Sequence, residues 1–207
     1  QTLSYQRNSG LTIVVVPTVS LAMDQERVSR ENIRIAREGE IFCYYSGLKD
    51  REKKELYSCL ENRTLRLLYI SPEALVKNQR FAGMIEEANE SGYLETIVID
   101  EAHIVIEWGD FFRIDYQCLE PWRNKLVQKN PDLKTVLLSA TFERRTVGLL
   151  RSMFSQNDNW IEIRCDSLRR EPRFDLIKAE SEMDKGRKTA ELLRCLPRPM
   201  VVYVAAP

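Results

Sequence analysis

The chain runs to 207 residues, 43% hydrophobic and 30% charged, with 31 Lys and Arg against 31 Asp and Glu. This length holds one large domain, or one domain and part of another, with a core of ordinary size. Zero net charge excludes a uniformly basic nucleic-acid coat and an acidic tail, though not a local basic groove.

Short β-branched runs alternate with longer amphipathic stretches. The predicted strands are 12–16, 41–44, 66–70, 96–99, 135–138, 160–163 and 200–204, with a strand-like stretch at 174–179. Several are apolar at every position, the pattern of a strand covered on both faces. The predicted helices lie near 20–37, 50–62, 81–90, 116–128, 143–154 and 184–196. Strands alternating with helices demand parallel crossovers, so the expected fold is α/β with a mainly parallel sheet. The polar, arginine-rich stretch Ser167–Arg173 reads as a linker. It divides the chain into a domain over 1–168 and the opening elements of a second over 169–207.

No apolar run approaches the roughly 20 residues that cross a bilayer, and the start has no signal-peptide pattern. Cys43, Cys59, Cys118, Cys165 and Cys195 are odd in number and form no CxxC pair. That argues against a disulfide framework or a zinc site, and for a reducing, intracellular setting. His103 is the one histidine, so a multi-histidine metal centre is excluded.

In an open parallel sheet, ligands bind beyond the carboxyl ends of the strands. The fourth predicted strand ends in Asp100-Glu101-Ala102-His103. A carboxylate at Asp100 can hold magnesium, directly or through water, and Glu101 can orient a water for attack on a γ-phosphate. Asp100 equally fits a helix N-cap. The first strand leads into Pro17-Thr18-Val19-Ser20, the third into Ser71-Pro72-Glu73 and the fifth into Ser139-Ala140-Thr141. Hydroxyls and amides around Pro17, Thr18 and Ser20 can face a nucleic-acid phosphate, and Ser20 equally fits an N-cap. The Ser71–Glu73 segment allows the same two readings, because Pro72 suits a first helical position.

Trp108, Phe111, Phe112 and Tyr116 offer flat faces for unpaired bases, and Arg113 adds charge and a stacking plane. On composition alone such a cluster belongs to a core. Gly109 and Asp110 interrupt it, however, and mark a loop.

Together these segments resemble superfamily-two nucleic-acid helicases with a DEAH box, of the RecQ type. The shared features are the Pro-x-x-Ser-Leu-x-x-Asp-Gln stretch at Pro17–Gln25, the Pro-Glu pair, Asp100–His103, Ser139–Thr141 and the aromatic-rich segment Glu107–Tyr116. The resemblance implies a RecA-like three-layer sandwich, ATP and magnesium as cofactors, and ATP-driven unwinding of single-stranded or forked duplex DNA. It implies that Asp100 positions magnesium, that Glu101 activates water, and that His103, Ser139 and Thr141 couple nucleotide state to motion. Pro17, Thr18, Ser20, Ser71, Pro72, Glu73, Trp108, Phe112 and Arg113 are the implied DNA contacts. One departure stands in the loop: Asp110 and Phe111 replace the histidine and aspartate usual in RecQ proteins.

Leu3–Gln6 resembles the Leu-Cys-Tyr-Gln that follows this family's GxxxxGK[ST] P-loop, which places Thr2 at the magnesium-binding hydroxyl, Gln1 in the place of the lysine, and the loop's glycines before Gln1. Arg198–Val204 resembles the first strand of a second RecA-like domain. The implied parent is longer and sits in the bacterial cytoplasm or on the nucleoid. An arginine finger alone is worth about 10³–10⁵ in rate, so the present chain is expected to turn over negligible ATP by itself. The wording of 16–27 and 196–204 is also similar to RecQ-like helicases of phosphorothioation-dependent restriction, which implies defence rather than repair. Two rivals stay open: a non-hydrolysing nucleic-acid-binding or interaction module of the same fold, and an RNA helicase.

Overall fold

Runs that are apolar at every position become strands buried from both sides: Ile41–Tyr44 and Leu67–Ile70 are buried throughout. The computed structural model describes residues 10–33, 36–106, 114–156, 159–165 and 175–203. Strands β1 (Leu11–Val15), β2 (Ile41–Tyr44), β3 (Leu67–Ile70), β4 (Leu94–Ile99) and β5 (Lys134–Leu137) form one sheet in the order β2-β3-β1-β4-β5. Every pairing is parallel. The helices of this unit are α1 (Val19–Asn32), α2 (Asp50–Glu61), α3 (Pro72–Lys77), α4 (Gln79–Glu90), α5 (Ile114–Gln117), α6 (Leu119–Lys129) and α7 (Arg144–Phe154). A 3-10 turn spans Ala102–Val105.

Side-chain alternation sorts the sheet into two faces. Ile41, Cys43, Leu67 and Tyr69 pack with Ala22 and Leu21 of α1, where Ser29 and Tyr69 hydroxyls meet at 2.7 Å. Phe42, Tyr44, Leu68, Ile70, Ile13, Val15, Ile97 and Ile99 face the other way, against residues from the remaining helices such as Leu56, Phe81, Leu126 and Leu150. This division follows from right-handed crossovers: β1 to β2 runs opposite to the other connections, so its helix lies on the opposite face.

Contacts divide the chain into two units, Gln1–Ile161 and Glu162–Pro207. The second, among its described residues, carries α8 (Glu182–Cys195), whose Ser181 hydroxyl caps it by accepting from the Asp184 N–H at 3.1 Å. Among the described residues, no helix is long and apolar enough to cross a membrane.

The expected strands at 160–163, 174–179 and 200–204 do not form in their described residues. A strand exists only with a ladder partner. Here Ile161 and Ile163 are 83% and 93% exposed, and nearby only an isolated antiparallel bridge joins Gln156 to Asn159. Helix 20–37 ends early, at Asn32, because Ile33 leaves the helical region while its N–H still closes on the Ser29 carbonyl. Helix 116–128 is split at Cys118 into α5 and α6. The linker Ser167–Arg173 lies outside the described residues.

Candidate active site

The chain leaves β1 for a helix on one face, while its neighbours β3 and β4 lead to helices on the other. The loops therefore part at the carboxyl end of β1, which is where an open α/β sheet forms its crevice. Beside that end the backbone turns sharply at Asp100 and Glu101. The Asp100 N–H donates to the Val15 carbonyl and the Ala102 N–H to the Leu138 carbonyl, each at 2.9 Å, so the turn is stitched to both β1 and the end of β5.

Between those stitches Glu101 adopts the left-handed conformation, with φ 49° and ψ 44°. For a residue with a Cβ this costs about 1–2 kcal/mol and persists only where the surroundings impose it. The Asp100 carboxylate holds the turn by accepting the Glu101 N–H through Oδ1 at 3.0 Å. Tyr116 adds a third hold, its hydroxyl donating to the Asp100 carbonyl at 3.3 Å. Asp100 thus supports the turn one residue before the 3-10 segment rather than capping a regular helix.

His103 sits one turn on. Its Nδ1 lies 2.8 Å from Ser139 Oγ and 3.3 Å from Glu101 Oε2. Ser139 Oγ also accepts the Thr141 N–H at 3.2 Å. The structure therefore brings Asp100, Glu101, His103, Ser139 and Thr141 into one group spanning the ends of β4 and β5.

The segments expected to meet nucleic acid divide. At the end of β1, Thr18 is the N-cap of α1, its Oγ1 accepting from the Leu21 N–H at 3.2 Å. The cap that Ser20 could have supplied thus belongs to Thr18, and Ser20 is exposed at the second helical position beside half-buried Pro17. Beyond β3, Pro72 opens α3, and both Ser71 and Pro72 are buried, leaving Glu73 partly exposed. Tyr116 is corrected outright: at 4% exposure it packs in the core and offers no face to a base. Thr2, Trp108, Phe111, Phe112 and Arg113 lie outside the described residues. Sequence reasoning missed both the left-handed Glu101, which no glycine marks, and the Tyr116 bond, whose partner is a backbone atom.

Among the described residues no three His, Cys, Asp or Glu side chains cluster as a metal cage. Magnesium needs no such cage: it takes one or two carboxylates, keeps waters and draws the rest of its shell from phosphate. Asp100 places one carboxylate group beside this crevice, its Oδ1 held by the Glu101 N–H.

A family model for DEAD/DEAH box helicases matches residues 1–150. The chain is 32% identical over 142 residues to the ATP-dependent DNA helicase RecQ of Synechocystis, covering 68% of this chain and 28% of that protein. It is 31% identical to the ATP-dependent DNA helicase Q-like 4B of Arabidopsis thaliana over 94% of this chain and 18% of the relative. The rat ATP-dependent DNA helicase Q1 is 29% identical over 65% of this chain, which spans 20% of its length. With relatives of RecQ type and a matching family model over most of its length, the chain belongs to the DEAD/DEAH box helicase family.

Proposed function

We propose that this chain supplies the carboxylate and coupling half of an ATP-dependent DNA helicase of RecQ type. The observation that carries the reading is the group around His103, in which one ring nitrogen reaches both a candidate catalytic carboxylate and a hydroxyl just beyond the next strand. Bound magnesium and ATP would supply the phosphoryl group and the counter-charge. Asp100 would hold the metal, Glu101 would orient and polarise the attacking water, and Ser139 with Thr141 would move with His103 when that carboxylate changes partner. The exposed Ser20 and the partly exposed Glu73 would meet DNA, together with Trp108, Phe112 and Arg113. Residues 1–168 would form the first RecA-like domain, and 169–207 the start of a second.

The test uses a polypeptide that carries the native flanking sequence. Single-stranded DNA is expected to stimulate its ATP turnover more than RNA of equal length does, and Glu101→Gln is expected to lower turnover at least 10³-fold while nucleotide still binds. Equal stimulation by RNA would favour the RNA-helicase reading. Absence of turnover in every longer form would favour the non-hydrolysing module. Steady-state turnover by residues 1–207 alone, lost in Glu101→Gln, would refute the claim that the flanking parts are needed.

A further inference from the structure

Among the described residues β2 ends the sheet, pairing with β3 along one side only. The Glu40 carbonyl accepts the Leu67 N–H at 3.0 Å, so strand alternation turns the polar groups of Phe42 and Tyr44 toward β3 and those of Ile41 and Cys43 outward. One residue of an added parallel strand would donate to the Ile41 carbonyl and accept from the Cys43 N–H. Both outward groups are already engaged by α1. Arg30 Nη2 donates to the Ile41 carbonyl at 2.7 Å. The Glu26 carboxylate accepts the Cys43 backbone N–H.

The two side chains lie one helical turn apart and are joined to each other at 2.8 Å. Together they reproduce the donor and acceptor of a single strand residue. The guanidinium reaches round the edge to lie 5.6 Å from the Phe42 ring centre. Burial pushes the Glu26 carboxyl above its ordinary range in spite of Arg30, so in this respect the arrangement is held at some cost to stability near neutral pH.

We propose that Glu26 and Arg30 are an edge guard, a side-chain pair that occupies the outward Ile41 carbonyl and Cys43 N–H and so stops β2 from pairing with β2 of a second copy of this chain. A second copy is the fitting occupant because the strand residues are all hydrophobic in type, and two identical edges meeting about a two-fold axis as antiparallel strands would draw on the same outward Ile41 carbonyl and Cys43 N–H. Arg27, bonded to Asp24 at 2.7 Å and to Glu31 at 2.8 Å on the exposed side of the same helix, provides a matched control.

The experiment compares three variants of the 207-residue chain with the native form by sedimentation velocity over a concentration series. Hydrogen exchange at the Ile41 and Cys43 amides locates any new contact. Glu26→Ala/Arg30→Ala removes the guard. Glu26→Arg/Arg30→Glu keeps an ion pair on the helix but points a donor at the Cys43 N–H. Asp24→Ala/Arg27→Ala is the control. Both guard variants are expected to self-associate at roughly tenfold lower concentration than the native chain, what one or two net backbone hydrogen bonds are worth, with the Cys43 amide protected in the assembly. The control should sediment like the native chain. Native sedimentation by the guard variants, or association that leaves the Cys43 amide exchanging as before, would overturn the proposal. The reversed pair decides the matter if the alanine variant does not fold.

Discussion

His103 Nδ1 stands 2.8 Å from Ser139 Oγ and 3.3 Å from Glu101 Oε2, so one nitrogen serves two oxygens that follow different strands. That nitrogen presents either a proton or a lone pair, never both. Carrying the proton, it is divided between the carboxylate and the hydroxyl. Carrying the lone pair, it accepts from Ser139 and turns the same lone pair toward the carboxylate. Either way, what Glu101 feels depends on Ser139. In the longer polypeptide Ser139→Ala should therefore lower DNA-stimulated ATP turnover about tenfold and basal turnover by less, a loss of the size of one charge-assisted hydrogen bond. Turnover measured with and without single-stranded DNA checks this, and equal losses in both would remove the coupling role.

The left-handed backbone at Glu101 separates chemistry from strain. Glycine accepts this conformation freely, whereas alanine keeps the Cβ penalty and loses the carboxylate. Glu101→Gly should accordingly be more stable than Glu101→Ala by about 1 kcal/mol in urea unfolding, the penalty partly offset by the looser unfolded chain of the glycine variant. Both should be inactive in the longer polypeptide. An alanine variant as stable as the glycine one would mean that the turn is not imposed.

Much of this architecture is legible in the residues, and the failures share a cause. Ile41–Tyr44 and Asp50–Glu61 fall where the pattern puts them, because a run apolar at every position and an amphipathic period each report local burial. Asp100–His103 and Ser139–Thr141 are visible because strand ends in a parallel sheet collect at one edge. Tyr116 is misread because an aromatic beside a loop looks the same in sequence whether its ring faces water or, as here, the core. The stretches at 160–163 and 200–204 fail for want of partners, since a strand is a property of a pair and composition records only one member.

Glu26 gives a pH signature. Burial raises its carboxyl above the usual value of 4.5, with Arg30 and the Cys43 N–H opposing and Glu52 assisting. The folded chain thus holds this proton more tightly than the unfolded chain. The associated stability is fully present below the unfolded pKa and is lost as pH rises through the folded one. Against a Glu26→Gln reference, which has no proton to lose, the native chain should gain stability as pH falls from 7 toward 4. Urea midpoints for both forms across that range test this, and a constant difference would show that the carboxyl is not perturbed.

The far side of the sheet makes a prediction about assembly. Val14, Val98 and Val136 stand in register across β1, β4 and β5 on the face where α1 packs over β2 and β3 and reaches Val14, but neither Val98 nor Val136, in the same cluster. Val136 is 40% exposed, and Leu138 just beyond β5 is 47% exposed. Parallel sheets occur almost only with both faces covered, and among the described residues the outer edge of β5 has no strand beside it. Because the Leu138 N–H bonds to Ile99, the N–H groups of Thr135 and Leu137 are the ones turned outward. If flanking sequence completes the sheet, as the proposed function requires, those two amides should exchange about 10²-fold more slowly in the longer polypeptide than in residues 1–207, with Ile161 gaining protection in the same step. Exchange at Thr135 and Leu137 that does not change with chain length would mean that β5 is a true outer strand, and the proposal of a larger RecA-like domain would fall with it.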